Sequence, residues 1–269
     1  MLALKLTLVP LFLSLVSMSG KWWGPAVAGW LAGLPVVAGP ILFLLTLQHG
    51  AAFGARAAVL SLAAVLAAEA FNFAYAWSCR RCAWPLACAA GFAAWLGAVS
   101  LLARLPATPV AAGLVALAAI AFGQACLPRA EAAAAAGAPL ARADLAGRAC
   151  AGAALTWAVT SLSGTLGPTW SGLLAVFPLL GSVLCVSSHR AHGPAFVIHM
   201  LRAMVLGRFS FVAFCVAIVM LLPVVSVGFA FGAAAGLSIV VQVAVRRIAM
   251  RRAYRPAVTA ARSVPPVVD

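Results

Sequence analysis

Residues 24–53 read GPAVAGWLAGLPVVAGPILFLLTLQHGAAF, and residues 167–196 read GPTWSGLLAVFPLLGSVLCVSSHRAHGPAF. The second stretch follows the first at a constant offset of 143 positions without a gap, and ten of the thirty pairs are identical. The identities include Gly24/Gly167, Pro25/Pro168, Gly29/Gly172, Pro35/Pro178, His49/His192 and Gly50/Gly193. Ala and Leu can match by composition alone, but Gly, Pro and His in fixed register are hard to match by chance. Just upstream, SMSG (17–20) returns as SLSG (161–164) with one residue allowed in the intervening loop. The chain therefore reads as two related halves. Internal repeats of this kind in membrane proteins are a recurrent feature of transporters.

Composition places the chain in lipid. Of 269 residues, 65% are hydrophobic and 8% charged, with mean hydropathy +1.12. Soluble domains carry about 25% charged residues, so this chain has too little polar surface to cover a soluble fold. An apolar stretch of about 20 residues crosses the hydrocarbon core. Apolar runs and Gly/Pro punctuation predict spans at 4–20, 25–48, 51–77, 84–103, 108–127, 148–164, 168–188, 195–221 and 223–245. The N-terminal run has the look of a signal peptide. Because SMSG has a partner deep in the chain, it is read instead as a retained first span.

Charge tests the count. The net charge is +14, and Arg246, Arg247, Arg251, Arg252, Arg255 and Arg262 crowd the C-terminal end. A cytoplasmic C-terminus follows from the positive-inside rule. Counting back, the inside loops hold Arg190, Arg129, Arg142, Arg148, Arg80, Arg81 and Lys21, while the outside loops hold only Arg104. This predicts nine spans in a bacterial inner membrane, with the N-terminus outside. Spans 2 and 7 are then five crossings apart. Five is odd, so spans 1–4 and 6–9 are inverted copies joined by span 5. The divisions are 1–104, 105–147, 148–245 and a basic tail, 246–269. The run 195–208 is the weak point: His199, Arg202 and Arg208 interrupt it, and parity fails if it lies at the interface.

The expected class is thus an all-α polytopic bundle. The pattern GPxxAGxLAGLPxxxGP, followed by an apolar run and a polar-Gly step, resembles a group of uncharacterised bacterial inner-membrane proteins. The match covers 24–50 well and 167–193 more loosely, with Gly39-Pro40 replaced by Ser182-Val183. The resemblance implies a polytopic helical membrane protein, and neither a substrate nor site residues.

Function candidates come from residues that lipid makes expensive. Pro removes a backbone donor, and in lipid the freed carbonyls need protein or a water-filled cavity. Pro35 and Pro178 are equivalent breaks, and Gly39-Pro40 and Gly181-Ser182 are read as second breaks. Paired interrupted spans point to a transport site; tight packing through Gly29, Gly33, Gly172 and Ala175 is the alternative. Glu69 is the one acid inside a predicted span, with Asn72 one turn on along the same face. Arg202 lies at a similar depth, about 10–12 Å in, and is the predicted partner, either in a structural pair or at a proton- or substrate-linked carboxylate. His199 shares the face of Arg202. His49 and His192 end equivalent spans, either as polar termini with a Gly cap or as pH sensors.

Other classes find little support. There is no HExxH, GxSxG, Walker loop or aspartate pair, and no cofactor is called for. Cys79 and Cys82 form SCRRC, one pair where a structural metal site needs two. Nucleic-acid binding is not expected, since no soluble domain offers a groove. Arg246, Arg247, Arg251 and Arg252 suit anionic lipid headgroups. A homo-oligomer or a larger membrane assembly stays open. The leading reading is a carrier of a small solute or lipid-like molecule. Its rivals are a non-catalytic component of an envelope or polysaccharide assembly and a lipid-acting membrane enzyme.

Overall fold

The computed structural model describes residues 34–129 and 142–262, besides Leu11. The predicted span 4–20 apart from Leu11, the first nine residues of span 2 and, within them, Gly29 and Gly33 lie outside the described residues. Those described are helical, without strands: α1 (Ala38–His49), α2 (Ala51–Ala63), α3 (Val65–Ser78), α4 (Trp84–Leu102), α5 (Pro109–Cys126), α6 (Arg142–Ser161), α7 (Ser163–Ala175), α8 (Leu179–Leu221) and α9 (Val227–Arg262). Five segments are long and apolar enough to cross a bilayer: Ala51–Ser78, Trp84–Leu102, Pro109–Cys126, Gly181–Leu221 and Val227–Ile248. The chain is a membrane-embedded, multi-pass helical protein. α6 is not in that apolar class, because Arg142, Asp144 and Arg148 fall in its first two turns.

α8 is not one 43-residue rod. Gly193 has φ 78° and ψ −179°, a backbone state open essentially to Gly alone. The Ser188 hydroxyl lies 3.6 Å from the Met200 sulfur, whereas twelve residues of straight helix would separate them by about 18 Å. A Cβ at Gly181 would likewise lie 3.6 Å from Met204 Cε. The helix folds back at Gly193 into arms 179–192 and 194–221, and Pro194 opens the second, where its missing N–H is not needed.

Gly50 makes the same reversal between α1 and α2, with φ 87° and ψ 171°. Thr46 and Gly54 meet face to face across it, so closely that a Cβ on Gly54 would collide with the Thr46 hydroxyl. His49 stacks on Phe53 at 4.4 Å, and His192 meets Phe196 at 4.6 Å with the rings tilted by 40°. Each hairpin is preceded by a Pro-centred turn: the Val36 amide donates to Leu34 O (2.8 Å) and the Leu179 amide to Phe177 O (2.7 Å). Gly39 N–H to Pro35 O and Ser182 N–H to Pro178 O are both 2.8 Å. Every pair of matching features is 143 positions apart.

The second breaks are corrected. Gly39 and Pro40 lie in the first turn of α1, and Gly181 and Ser182 in the first turn of the 179–192 arm. Gly39 and Ser182 keep their bonds to Pro35 O and Pro178 O, and Pro40 sits in a first turn, where Pro is tolerated. Pro178 marks an interruption between α7 and the 179–192 arm, and Pro35 lies in the matching turn before α1, whose preceding residues lie outside the described ones.

α2 and α3 form the centre. Their segment is 67% buried, against 28% for α4, 28% for α5 and 22% for the apolar part of α9. α2–α3 packs against α4, α5, α7 and α8. α2 and α7 approach backbone to backbone: a Cβ on Gly172 would collide with the Ala57 carbonyl, and Ser61 donates to Gly172 O at 2.7 Å. Small residues permit such contacts, and the hydroxyl satisfies a carbonyl within lipid depth. α9 does not stop where the basic tail is predicted to start: its backbone runs helically from Val227 through Arg246 to Arg262.

Candidate functional site

A polar cluster sits where α3, α5 and the 194–221 arm meet. Glu69, 4% exposed, accepts from Arg208 Nε at Oε1 (3.1 Å) and from Asn72 Nδ2 at Oε2 (3.1 Å). Asn72 reaches it because i and i+3 share a helix face. Gly123 of α5 makes room: a Cβ there would lie 3.2 Å from Oε2 and 3.3 Å from Val205. Both carboxylate oxygens are thus met by donors in an apolar shell, the arrangement a buried charge requires.

The predicted partner is corrected here. Arg202 does not pair with Glu69. Its guanidinium donates to Leu127 O (2.7 Å) and Gln124 O (3.3 Å), while Gln124 Nε2 donates back to Arg202 O (3.0 Å). Trp77 Nε1 donates to Cys126 O nearby (3.2 Å). Arg202 therefore closes the C-terminal end of α5, where orphan carbonyls and the helix dipole attract a cation. Arg208 lies about 9 Å further along the arm and about 120° around it. Counting depth from helix ends fixes neither rotation nor a competing acceptor, so Arg208 escaped the sequence reading. His199 is exposed, and Asn72 is buried beside Glu69.

The second region is the interruption at 176–178. α7 ends at Ala175 and the next arm begins at Leu179, with Pro178 (φ −76°, ψ 47°) between them. Phe177 stacks on Phe92 (5.6 Å) and stands edge-on to Trp95 (5.0 Å). Trp95 is 2% exposed, and its indole N–H has no partner among the described residues; the Ser171 hydroxyl, also buried, has none either. From this region a cleft of about 620 Å³ runs between α4 and the 179–192 arm, lined by Cys88, Phe92, Ser182, Val186, Ser187 and Arg190 among others. Of the sequence candidates, Ser182 lines it, whereas Gly181 faces Met204 and Pro178 stays in the preceding turn. Pro35, Gly39 and Pro40 lie at the equivalent turn on α1, where Gly39 faces Phe214.

His49 has a partner. The Ser163 hydroxyl donates to Thr160 O (2.8 Å), so its contact with His49 Nε2 (2.6 Å) is accepted from an Nε2–H tautomer. Tyr75 Oη lies 3.3 Å from His189 Nδ1, which joins the C-terminal ends of α3 and the 179–192 arm. Cys79, at the C-terminal cap of α3, is buried, and burial pushes its thiol up to about 11. Among the described residues, no three His, Cys, Asp or Glu side chains come together as a metal site. Arg246 and Arg247 are exposed on α9; the side chains of Arg251 and Arg252 lie outside the described set.

No model of a known protein family, no curated protein and no solved structure matches the chain.

Proposed function

We propose that this protein is a secondary-transporter-like carrier of the inner membrane, built from two inverted hairpin repeats in nine spans, that moves a small solute or lipid-like molecule. The observation that supports it is the repeated turn at Pro35 and Pro178, each followed by a short helix reversed at a Gly of matching dihedrals. Discontinuous helices at corresponding positions of two halves are the usual frame of a midplane transport site. In the second copy the solute meets the interruption at 176–178, where Trp95 offers an unpartnered donor. Glu69 is assigned a structural role here, since Arg208 and Asn72 occupy both of its oxygens.

A specific observation favours one rival. The Gly172–Ala57 approach is a sealed contact, as a non-catalytic membrane component would use. Two measurements divide the readings. Reporters active only in the cytoplasm, fused to either end, should report a cytoplasmic C-terminus and an external N-terminus; activity at both ends removes the inverted repeat. Ser182→Cys in a background without other cysteines should react with water-soluble maleimide added from one face, and from the other once solute is present. A residue unreactive from both faces under all conditions favours the sealed component.

A further inference from the structure

The cleft between α4 and the 179–192 arm has one charged end. Arg190 lies at its mouth, exposed, with its guanidinium 5.9 Å from the Trp84 ring. On the neighbouring 79–83 loop, Arg80 lies 4.9 Å above the Trp77 ring. Trp rings holding cations at helix ends are the arrangement of a membrane–water interface. The only carboxylate among the described side chains, Glu69, is buried and ion-paired with Arg208. Arg190 thus stands at the mouth with no carboxylate to neutralise it among the described side chains.

The remainder of the cleft is mainly apolar, with Ser182 and Ser187 among its lining residues. Phe92, Val183, Val186 and Cys88 form its walls, and Phe92 stacked on Phe177 closes the inner end. From Ser182 to Arg190 is eight residues of helix, about 12 Å. A volume of about 620 Å³ lies in the ordinary range for a ligand site. Ser182 and Ser187 direct their hydroxyl protons to the backbone at Leu179 O and Val183 O, so the walls present little that would recognise a polar solute along its length.

We infer that this cleft holds one acidic phospholipid, with its phosphate at Arg190 and one acyl chain laid along the 179–192 arm. A zwitterionic lipid would bring its own cation beside the unpaired charge of Arg190. A free anion would leave the apolar walls unfilled. The site is separate from the basic stretch of α9, and it stands whether or not the protein transports.

The test uses the full-length protein in bilayer discs made with phosphatidylglycerol, with phosphatidylcholine, or with both. A photoreactive phenylalanine analogue at Val186 should capture phosphatidylglycerol in preference from the mixture. Arg190→Gln should weaken that capture about tenfold, the loss of one charge-assisted hydrogen bond, whereas Arg190→Lys should keep most of it. Thermal unfolding of each variant, unchanged from the parent, separates lost binding from lost fold. Equal capture of the two lipids, no response to Arg190→Gln, or cross-links to residues 1–33 of the same chain in place of lipid would each overturn the inference.

Discussion

The hairpins at Gly50 and Gly193 agree in dihedrals, in their His–Phe contacts and in the Pro turns that precede them, yet their polar groups do not correspond. Glu69 stands where the second copy has Val212, and Arg208 where the first has Val65. His189 matches Thr46, and Tyr75 matches Ile218. The ion pair and the Tyr75–His189 contact each join the copies through positions that are unequal within them. A duplicated backbone needs the same Gly and Pro wherever φ is positive or a turn must form. A buried charge needs only one complement. The two stretches thus keep matched Gly and Pro residues while their donors and acceptors differ.

The sharpest way to break this comparison is the cross-copy pair. Glu69→Gln or Arg208→Gln should each lower stability by about 3–5 kcal/mol, because each leaves a partner buried and uncompensated. The double variant should recover part of the loss, as read by thermal unfolding in detergent. Arg202→Gln combined with Glu69→Gln should be additive; coupling there would return Glu69 to the partner that depth alone suggested.

The matched reversals predict matched costs. Gly50→Ala and Gly193→Ala should each cost about 1–3 kcal/mol by backbone strain alone, since a Cβ at either site meets nothing within 4 Å. A cost at one site and none at the other would mean that the hairpins bear load differently.

A smaller difference is expected at the histidines. His49→Ala forfeits the hydrogen bond to Ser163 and should cost about 1 kcal/mol more than His192→Ala. An equal cost would show that His192 has its own acceptor, and would extend the correspondence between the copies.

The smallest effect concerns reactivity in the 79–83 loop, which has no counterpart in the repeat's chemistry. With its thiol near 11, Cys79 holds about a thousandth of its population as thiolate at pH 8. Raising the pH towards 11 increases that fraction about tenfold per unit. Half-exposed Cys82 should therefore be labelled by maleimide well before Cys79, with mass spectrometry of peptides as the readout. Equal rates at pH 8 would show that Cys79 is open to water.

Much of the fold was legible because its signals are local. Predicted runs at 51–77, 84–103 and 108–127 match helices at Ala51–Ser78, Trp84–Leu102 and Pro109–Cys126 within a residue or two. A run of apolar residues ended by Gly or Pro has one inexpensive conformation in lipid. Pro178 was readable as an interruption, and Pro35 as its counterpart, for the same reason. Gly39-Pro40 misled, because whether a Pro breaks a helix or begins one depends on where the preceding turn has already ended.

The candidate site was legible only in its cheapest part. Glu69 and Asn72 stood out since an acid in lipid demands a partner and i, i+3 neighbours share a face. Arg208 did not, because its pairing depends on the rotation of the 194–221 arm and on Arg202 being taken by the carbonyls of α5. The sequence by itself determined that this chain lives in a membrane, is helical and repeats a Pro–His–Gly framework, all consequences of backbone hydrogen bonding without water. The reversal at Gly193 was readable as the break between the predicted runs 168–188 and 195–221, and only the tertiary structure decided which cation meets Glu69 and that Arg190 heads the cleft beside α4. Those outcomes depend on helix rotation and on contacts more than a hundred residues apart, which no local period encodes.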